Sequence, residues 1–448
     1  MSNRILLFIG ILVITACQVK ETRQQPVLSH PHPAWIMQGN VYEVNVRQFT
    51  PEGTLNAFAK HLDRLKEMGV QTLWFMPLNP ISKIGRKGTL GSYYAVASFT
   101  TLNPEFGSMD DWKELVSEIH KRNMKVMIDW VPNHTGADHS WITAHPEFYV
   151  KDSTGNPAVA FDWTDVRQLD YKNAIMQDSM VNAMKYWLIH TNIDGFRVDV
   201  AWNVPAEFWN KCIPQLKNLK KDLFMLAEGD KSYLSTSGFD AVYPWSMFHV
   251  MKQIAKGERT PLALDSVKAV NDTLYDAGTI QLYFTSNHDE NSWFKSDFET
   301  FPGATHAPFA VFTQTMINSV PLIYSGQEEP VSRALKFFDK DPIGFEKYQR
   351  AKFYKTLLEL RTKNQALAAD ASFTKVSVGD DMAVYAFVRQ KGNDKVFVIL
   401  NLSPAEQEIR ITDATLQGNP YNVFMYSKEP LTDQPLKLEP WGYVIYTY

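Results

Sequence analysis

The feature that most constrains the fold is an alternation of short apolar runs and helical segments over about 325 residues. Val70–Met76 and Met124–Val131 are two of eight strand-length candidates, and segments such as 173–190 carry the apolar spacing of amphipathic helices. Repeated strand–helix units predict a parallel sheet covered by helices. Eight units favour the α/β class with a closed (β/α)8 TIM barrel.

Two segments depart from this alternation. Residues 135–171 separate the third strand from its helix and carry many Trp, Phe and Asp residues, which predicts a short inserted subdomain. From about Asp370 onward, short alternating segments separated by turn residues predict an antiparallel β-sandwich. The domain prediction is therefore a barrel at 36–134 and 172–365, an inserted B subdomain, and a C-terminal sandwich at 366–448.

The N-terminus has the pattern of a targeting segment. Arg4 precedes the apolar run Ile5–Ile14, which is too short to span a bilayer and is followed by small residues and Cys17. The end of this run resembles a bacterial lipoprotein box, which implies a signal peptide at 1–16, lipidation of Cys17 and a tether at 17–35. The alternative is an ordinary signal peptide cut nearby. We expect export and lipid anchoring to a bacterial membrane, on the periplasmic side or the cell surface.

Composition excludes several classes of protein. The formal net charge of −4 supplies no basic field for nucleic acid. There are two cysteines, and removal of the signal peptide with lipidation of Cys17 would leave Cys212 as the one free thiol, so no internal disulfide is expected. His30 and His32 lie in the predicted tether, where a solvated linker is a more common explanation than a metal site.

Polar clusters follow four of the predicted strands. They read DWVPNH at 129–134, GFRVD at 195–199, LAE at 226–228 and NHD at 287–289. In a TIM barrel, the residues just beyond the carboxyl ends of the strands form the active-site face. Asp199 and Glu228 are one strand–helix unit apart, so we expect them on neighbouring strands and close together.

Two neighbouring carboxyl groups indicate glycoside hydrolysis, in which one attacks the sugar and the other transfers a proton. Arg197 points to the same side of its strand as Asp199 and is expected to keep that carboxylate ionised. Glu228 would need a raised pKa to remain protonated. The alternative is a set of salt-bridged barrel residues, which four clusters in consistent order make a poor explanation.

These clusters resemble the short motifs of the α-amylase family of glycoside hydrolases, family 13. DWVPNHT (129–135), GFRVDVA (195–201), LAEG (226–229) and TSNHDEN (285–291) are similar to its four regions in order. The resemblance covers nearly all of the predicted mature chain, including the tail that ends in PWGYVIY (440–446).

The resemblance implies roles for individual residues. It makes Asp199 the nucleophile, Glu228 the general acid/base and Asp289 a third carboxylate that binds sugar hydroxyls. The same resemblance implies supporting contacts to the substrate from Arg197, His134, His288 and Tyr94. Tyr94 would stack on the sugar at the cleavage point, and Tyr93 is the competing assignment.

Two departures from the family pattern limit what carries over. The Lys-His pair that many members place after the nucleophile, where it binds the leaving sugars, is replaced within Val200–Asn203. Trp202 either stacks on the leaving sugars instead or packs against the barrel rim. The family often binds calcium through Asn133 and an Asp of the insertion, but Gln168 stands where that Asp is expected. Asp162, Asp165 or Asp170 could compensate, so calcium is possible but doubtful, and no organic cofactor is expected.

The function expected from this resemblance is hydrolysis of α-1,4-glucosidic bonds in starch-like glucans or maltooligosaccharides, with a covalent intermediate on Asp199. An α-glucan transglycosylase and an oligosaccharide-specific α-glucosidase remain as alternatives. A non-catalytic glycan-binding lipoprotein is a remote alternative, because such a protein would be expected to lack one of the carboxylates.

Overall fold

The computed structural model describes residues 31–329 and 331–448. Its centre is a closed barrel of eight parallel strands, which confirms the (β/α)8 prediction. With strands numbered along the chain, the barrel strands are β1 (Val41–Val44), β2 (Thr72–Phe75), β3 (Lys125–Trp130), β6 (Gly195–Val198), β7 (Phe224–Ala227), β8 (Ala241–Val242), β9 (Ile280–Tyr283) and β10 (Ser319–Tyr324). Their order around the barrel is β1-β10-β9-β8-β7-β6-β3-β2.

Helices cover the outside of the barrel, and the strands are therefore buried on both faces. One of these helices, Met109–Lys121, begins with a capping box formed by Ser108 and Asp111. The α-helices are α1 (Val46–Phe49), α2 (Leu55–Ala59), α3 (Leu62–Met68), α4 (Met109–Lys121), α5 (Trp141–Ala144), α6 (Ala174–Thr191), α7 (Ala206–Leu219), α8 (Ser232–Thr236), α9 (Trp245–Ala255), α10 (Leu262–Leu274), α11 (Asp297–Thr300), α12 (His306–Thr315) and α13 (Ala351–Lys363).

The segment after β3 is small and mostly irregular. It contains one antiparallel pair, β4 (His134–Gly136) and β5 (Val166–Gln168), and the short α5. The β4–β5 pair carries the segment outward from the barrel rim and returns it beside the end of β3. It therefore forms one wall above the carboxyl ends of the strands.

The C-terminal part consists of antiparallel sheets, as predicted. Its strands are β11 (Ser372–Val376), β12 (Val384–Lys391), β13 (Asp394–Asn401), β14 (Gln407–Ile409), β15 (Tyr421–Asn422), β16 (Ser427–Lys428), β17 (Leu436–Leu438) and β18 (Tyr443–Thr447). Six of them form a sheet in the order β11-β12-β13-β18-β15-β16, and β14 pairs with β17. One face of the larger sheet packs against the barrel helices through Phe387 and Val398, and the other packs against the small sheet through Phe397 and Ile399.

The predicted tether is wrong at its C-terminal end. His32 was expected to be solvated, but its Nδ1 lies 3.0 Å from Asp240 Oδ1 and its Nε2 lies 3.1 Å from the carbonyl oxygen of Gly278. Trp35 donates from Nε1 to the carbonyl oxygen of Asp222. These partners precede barrel strands, so residues 32–35 cover the end of the barrel opposite the carboxyl ends of the strands.

The predictions of a signal peptide, of His30 as linker and of lipidation at Cys17 lie outside the described residues. Within the described ranges, no helix is both long and apolar enough to cross a membrane. Cys212, the cysteine of α7, is buried and carries a free thiol.

Candidate active site

A cavity of about 380 Å³ lies at the carboxyl ends of the barrel strands. This is the face on which the sequence analysis placed the polar clusters. The cavity is lined by Lys87, Ser92, Tyr94, His134, Trp163, Asp165, Val166, Asp199, Val200, Glu228, His288, Asp289, Trp293, Phe337 and Phe338. The three carboxyl residues predicted to be catalytic therefore meet in one place.

Arg197 organises the carboxyl groups at the floor of this cavity. Its guanidinium is fully buried, and Nη1 donates at 3.0 Å both to Asp129 Oδ1 and to Asp199 Oδ1. Nη2 lies 3.3 Å from Glu228 Oε2. Register explains the arrangement, because Arg197 pairs with Asp129 on β3 and with Leu226 on β7, two residues before Glu228. The shared guanidinium brings Asp199 and Glu228 side by side.

The backbone after Asp199 is strained in a way that serves Glu228. Val200 has a φ of 45°, in the left-handed region that β-branched residues rarely adopt. In this conformation its N–H donates to Glu228 Oε2 at 2.7 Å. Since Oε2 also faces Arg197, a proton on this carboxyl group is better placed on Oε1. The arrangement thus gives Glu228 one oxygen that accepts and one that can donate.

The electrostatics of the carboxyl pair differ from the expectation. Burial raises the pKa of Asp199 well above its usual value, the neighbouring Glu228 raises it further, and Arg197 opposes both. The sequence predicted that Arg197 would keep Asp199 ionised and that the pKa of Glu228 would be raised. It did not indicate how deeply Asp199 is buried. Burial and the neighbouring Glu228 therefore disfavour the carboxylate form of Asp199, and Arg197 is the group that favours it.

His288 and Tyr94 form a second polar chain along the cavity wall. Tyr94 donates from its hydroxyl to Asp129 Oδ2 at 3.0 Å and lies 2.7 Å from His288 Nε2. His288 Nδ1 lies 2.5 Å from Glu43 Oε1, and its Nε2 lies 3.4 Å from Asp289 Oδ2. Burial alone would lower the pKa of His288, but the carboxylates of Asp289 and Glu43 raise it to about 9. His288 is therefore an imidazolium at neutral pH.

Tyr94 and Tyr93 occupy different environments. The ring of Tyr94 stacks against His288 at 5.4 Å between centroids and borders the cavity. Tyr93 instead donates from its hydroxyl to Asn45 and lies under Arg47, whose guanidinium carbon is 4.1 Å from the ring centroid. The geometry thus places Tyr94, rather than Tyr93, where a sugar would stack.

His134 presents an unused donor to the cavity. Asn133 donates from Nδ2 to His134 Nδ1, so the ring proton of the neutral imidazole belongs on Nε2. Burial lowers the pKa of His134 to about 4, which keeps the ring neutral. Nε2 is buried and has no hydrogen-bond partner among the described residues. A sugar hydroxyl in the cavity would provide one.

Asn133 lies in an amide cluster that does not suit calcium. Its Oδ1 accepts hydrogen bonds from Gln168 Nε2 at 3.0 Å and from Asn203 Nδ2 at 2.8 Å. Two N–H groups therefore point at the oxygen that would bind the cation. In the described part of the chain, no group of three or more His, Cys, Asp or Glu side chains could hold a metal. Calcium needs several oxygen ligands, including carboxylates, and this donor set does not provide them.

Trp202 lies outside the main cavity. It is 39% exposed, and its ring is 5.7 Å from that of Phe161. It borders an adjacent pocket of about 210 Å³ together with Gly229, Asp230, Lys231 and Trp245. Gly229 has a φ of 145°, and a Cβ there would lie 2.9 Å from the Trp202 Cβ, so this glycine gives Trp202 its room.

Several residues of the site were not predicted. Glu43, the partner of His288, is 0% exposed on β1, and a lone carboxyl group in an otherwise apolar strand was the available signal. Asp129 was noted in its motif without a role. The aromatic residues Trp163, Phe337 and Phe338 lie in loops and Trp293 in a single π-helical turn (Glu290–Phe294), where no periodicity indicates which way a side chain faces.

Comparisons with known proteins agree with this geometry. Residues 32–156 and 159–342 match the family model for the alpha-amylase catalytic domain, and residues 384–445 match that for the C-terminal domain of the alpha-amylase SusG. An alpha-amylase of Haloarcula japonica is 24% identical over 389 residues, covering 82% of this chain and 56% of the relative. A cyclomaltodextrinase of a Bacillus species is 24% identical over 455 residues, covering 88% and 78%.

Solved structures with the same fold extend over nearly the whole chain. A maltogenic alpha-amylase from Thermotoga neapolitana superimposes with a TM-score of 0.84 at 26% identity, covering 92% of this chain and 99% of that one. An alpha-amylase from Lactobacillus plantarum gives a TM-score of 0.83 at 25% identity, with the same coverage.

Proposed function

The chain belongs to the α-amylase family of glycoside hydrolases, and on that premise we propose that it hydrolyses α-1,4-glucosidic bonds in starch-like glucans or maltooligosaccharides with retention of configuration. The observation that carries the proposal is the buried Arg197, which contacts Asp199 and Glu228 at the floor of a cavity of sugar size. A retaining glycosidase needs two adjacent carboxyl groups that flank the scissile bond.

In the first step, Asp199 attacks the anomeric carbon while Glu228 donates its proton to the glycosidic oxygen. The bond between that carbon and oxygen breaks, and an ester forms between the sugar and Asp199. The Val200 N–H and Arg197 hold Glu228 Oε2, so the proton leaves from Oε1. Glu228 becomes a carboxylate as the leaving sugar becomes neutral.

In the second step, water attacks the same carbon from the side that the leaving sugar vacated. Glu228, now a carboxylate, accepts the proton of the water, and the ester to Asp199 breaks. Two inversions at one carbon give net retention. The site returns to its starting protonation state, with the proton on Glu228.

The remaining predicted residues act on the sugar that is cleaved. Tyr94 offers its ring face, His134 offers the Nε2 donor and the His288 imidazolium carries a positive charge beside Asp289. We assign Asp289 to sugar hydroxyls, because it borders the cavity and is not bound by Arg197. Trp202, on the Glu228 side, is positioned to stack against the leaving sugars.

The test is release of reducing ends from soluble starch and from maltooligosaccharides. Asp199→Asn should abolish release while the thermal midpoint stays near that of the wild type, and Asp222→Asn at the opposite end of the barrel should leave release unchanged. Near-normal turnover by Asp199→Asn would contradict the nucleophile assignment. Products longer than the substrate would instead indicate a transglycosylase, and release of single glucose units from short oligosaccharides an α-glucosidase.

We further propose that the protein is exported and held at a bacterial membrane by acyl chains on Cys17. The support is the sequence of residues 4–17, a basic residue, a short apolar run and small residues before the cysteine. Cys17→Ala should move the protein from the membrane fraction to the soluble fraction, with Cys212→Ala as the matched control. A Cys17→Ala protein that stays with membranes would rule out the anchor.

A further inference from the structure

Loops from two barrel strands are joined directly above one side of the cavity. The loop after β2 meets the loop after β10 where the Leu90 N–H donates to the carbonyl oxygen of Phe338 at 2.9 Å. Next to it, Thr89 donates from its N–H and its hydroxyl to Asp339 Oδ1 at 2.8 and 2.7 Å. A Cβ on Gly88 would lie 2.5 Å from the Phe338 Cβ, so the two backbones leave no gap.

A buried arginine fixes this junction from below. Arg47 is 2% exposed and donates from Nη1 to the carbonyl oxygens of Gly91 and Phe337 at 3.0 and 3.2 Å. Nη2 reaches the carbonyl oxygen of Leu90 at 3.4 Å. One guanidinium thus bonds to both loops. Separating the two loops would leave buried carbonyl groups without their donor, which costs free energy, so we expect the loops to stay joined.

The junction continues on both sides. Towards β9, the Leu335 N–H donates to Asn291 Oδ1 at 2.9 Å, and Trp293 packs on Phe337 with 4.7 Å between ring centroids. Towards the inserted segment, Lys83 donates from its N–H to Asp138 Oδ2 at 2.8 Å, and Lys87 Nζ lies 3.2 Å from Asp165 Oδ1. We call the joined loops around 83–91, 138, 165, 291–293 and 335–339 the closed rim.

Topology fixes which end of the substrate meets the closed rim. Glu228 must lie on the side of the leaving sugar, because it protonates the oxygen that departs. It follows β7, the fifth barrel strand, whereas the loops of the closed rim follow the second, third, seventh and eighth. The leaving sugar therefore extends towards Trp202 and its pocket, and the sugars on the non-reducing side extend towards the closed rim.

We propose that the closed rim ends the binding site on the non-reducing side, so that the enzyme removes short products from the non-reducing ends of α-glucan chains. This inference rests on the function proposed above and specifies its substrate geometry. The cavity of about 380 Å³ is comparable with a disaccharide, and on this side it is bordered by Phe338, Trp293 and the Lys87–Asp165 pair. A longer chain on that side would have to pass through the bonded loops.

The first experiment compares two forms of maltoheptaose that carry a fluorescent tag at the reducing end. One form has a free non-reducing end, and the other carries a cyclic acetal on O4 and O6 of its terminal glucose. We expect the blocked form to be cleaved at least about tenfold more slowly, equivalent to about 1.4 kcal/mol. The tagged products that appear first from the free form should all be shorter than the substrate by the same number of glucose units. Equal rates with a spread of tagged products would overturn the inference, whereas no cleavage of either form would contradict the proposed function.

The second experiment opens the closed rim. Phe338→Ala removes the ring that borders the cavity. We expect this variant to cleave blocked maltoheptaose at a rate closer to that for free maltoheptaose, and to release longer products from the non-reducing end. Phe294→Ala is the matched control, because Phe294 is a neighbour of Trp293 but is 67% exposed and lies outside the cavity lining. An unchanged ratio in a folded, active Phe338→Ala enzyme would show that the rim does not set the cleavage position.

Discussion

The amide cluster around Asn133 provides a quantitative test of the inference that this site does not suit calcium. Gln168 donates from Nε2 to the backbone oxygen and to Oδ1 of Asn133, both at 3.0 Å, and Asn133 is fully buried. Gln168→Leu replaces the amide with an apolar side chain of similar size and removes both hydrogen bonds. Asn203 still donates to Oδ1, and the Leu169 N–H still donates to the backbone oxygen at 3.2 Å, so the loss is that of the two Gln168 hydrogen bonds.

The cost follows from those contacts. A hydrogen bond contributes about 0.5–1.5 kcal/mol net, so the loss of two costs about 1–3 kcal/mol. In a chain of this length 1 kcal/mol shifts the thermal midpoint by about 1 °C, so we expect a decrease of about 1–3 °C. The measurement is thermal unfolding followed by circular dichroism. Gln215→Leu, a half-exposed glutamine of α7, is the control and should change the midpoint by less than about 1 °C.

The same melts test the metal directly. Because two N–H groups occupy Asn133 Oδ1, an excess of EDTA should leave the midpoint unchanged in the wild type and in Gln168→Leu. The reasoning is refuted if EDTA lowers the wild-type midpoint by several degrees and added calcium restores it. It is also refuted if Gln168→Leu is as stable as the wild type, because the cluster would then contribute nothing.

Two further perturbations address the site. The pKa of His288 is about 9 in the folded protein and about 6.5 in an unfolded chain, so its ion pairs contribute stability that is complete below pH 6.5 and is lost as the pH rises through 9. The wild-type midpoint should therefore fall over this range in melts, and the fall should be smaller in His288→Gln. Trp202→Ala should raise KM for maltoheptaose about tenfold, about 1.4 kcal/mol, with little change in kcat; an unchanged KM would assign Trp202 to packing of the rim.

The parts of the site that could be predicted are those that lie on strands. The common location of Arg197, Asp199 and Glu228 could be predicted because they lie at the carboxyl ends of strands, and a parallel barrel puts all such ends on one face. The alternation of side chains along β6 also places Arg197 and Asp199 on one side. Local patterns of this kind need no knowledge of distant residues, which explains why Asp199 and Glu228 could be predicted to be neighbours.

The parts that could not be predicted depend on contacts between distant segments. Glu43 meets His288 across 245 residues, since Glu43 lies on β1 and His288 in the segment after β9, and the two come close only after the barrel has closed. The closed rim likewise joins Leu90 to Phe338 through a backbone hydrogen bond, which any sequence could make. His32 was predicted to be solvated because its Pro-rich neighbourhood gives no sign of its long-range partners, which include Asp240 and Gly278.

The charge balance of the cavity explains how one site can serve both as acid and as stabiliser of a cation. The carboxyl groups of Glu43, Asp129, Asp199, Glu228 and Asp289 lie near Arg197 and His288, and a further ion pair, Lys87 with Asp165, lines the cavity. Burial raises the pKa of Asp129 to about 6 and that of Asp199 well above its usual value. In the first step Glu228 delivers its proton to the glycosidic oxygen. As this proton leaves, the cavity becomes more negative while positive charge develops on the sugar ring, so the site binds the transition state more tightly than the substrate.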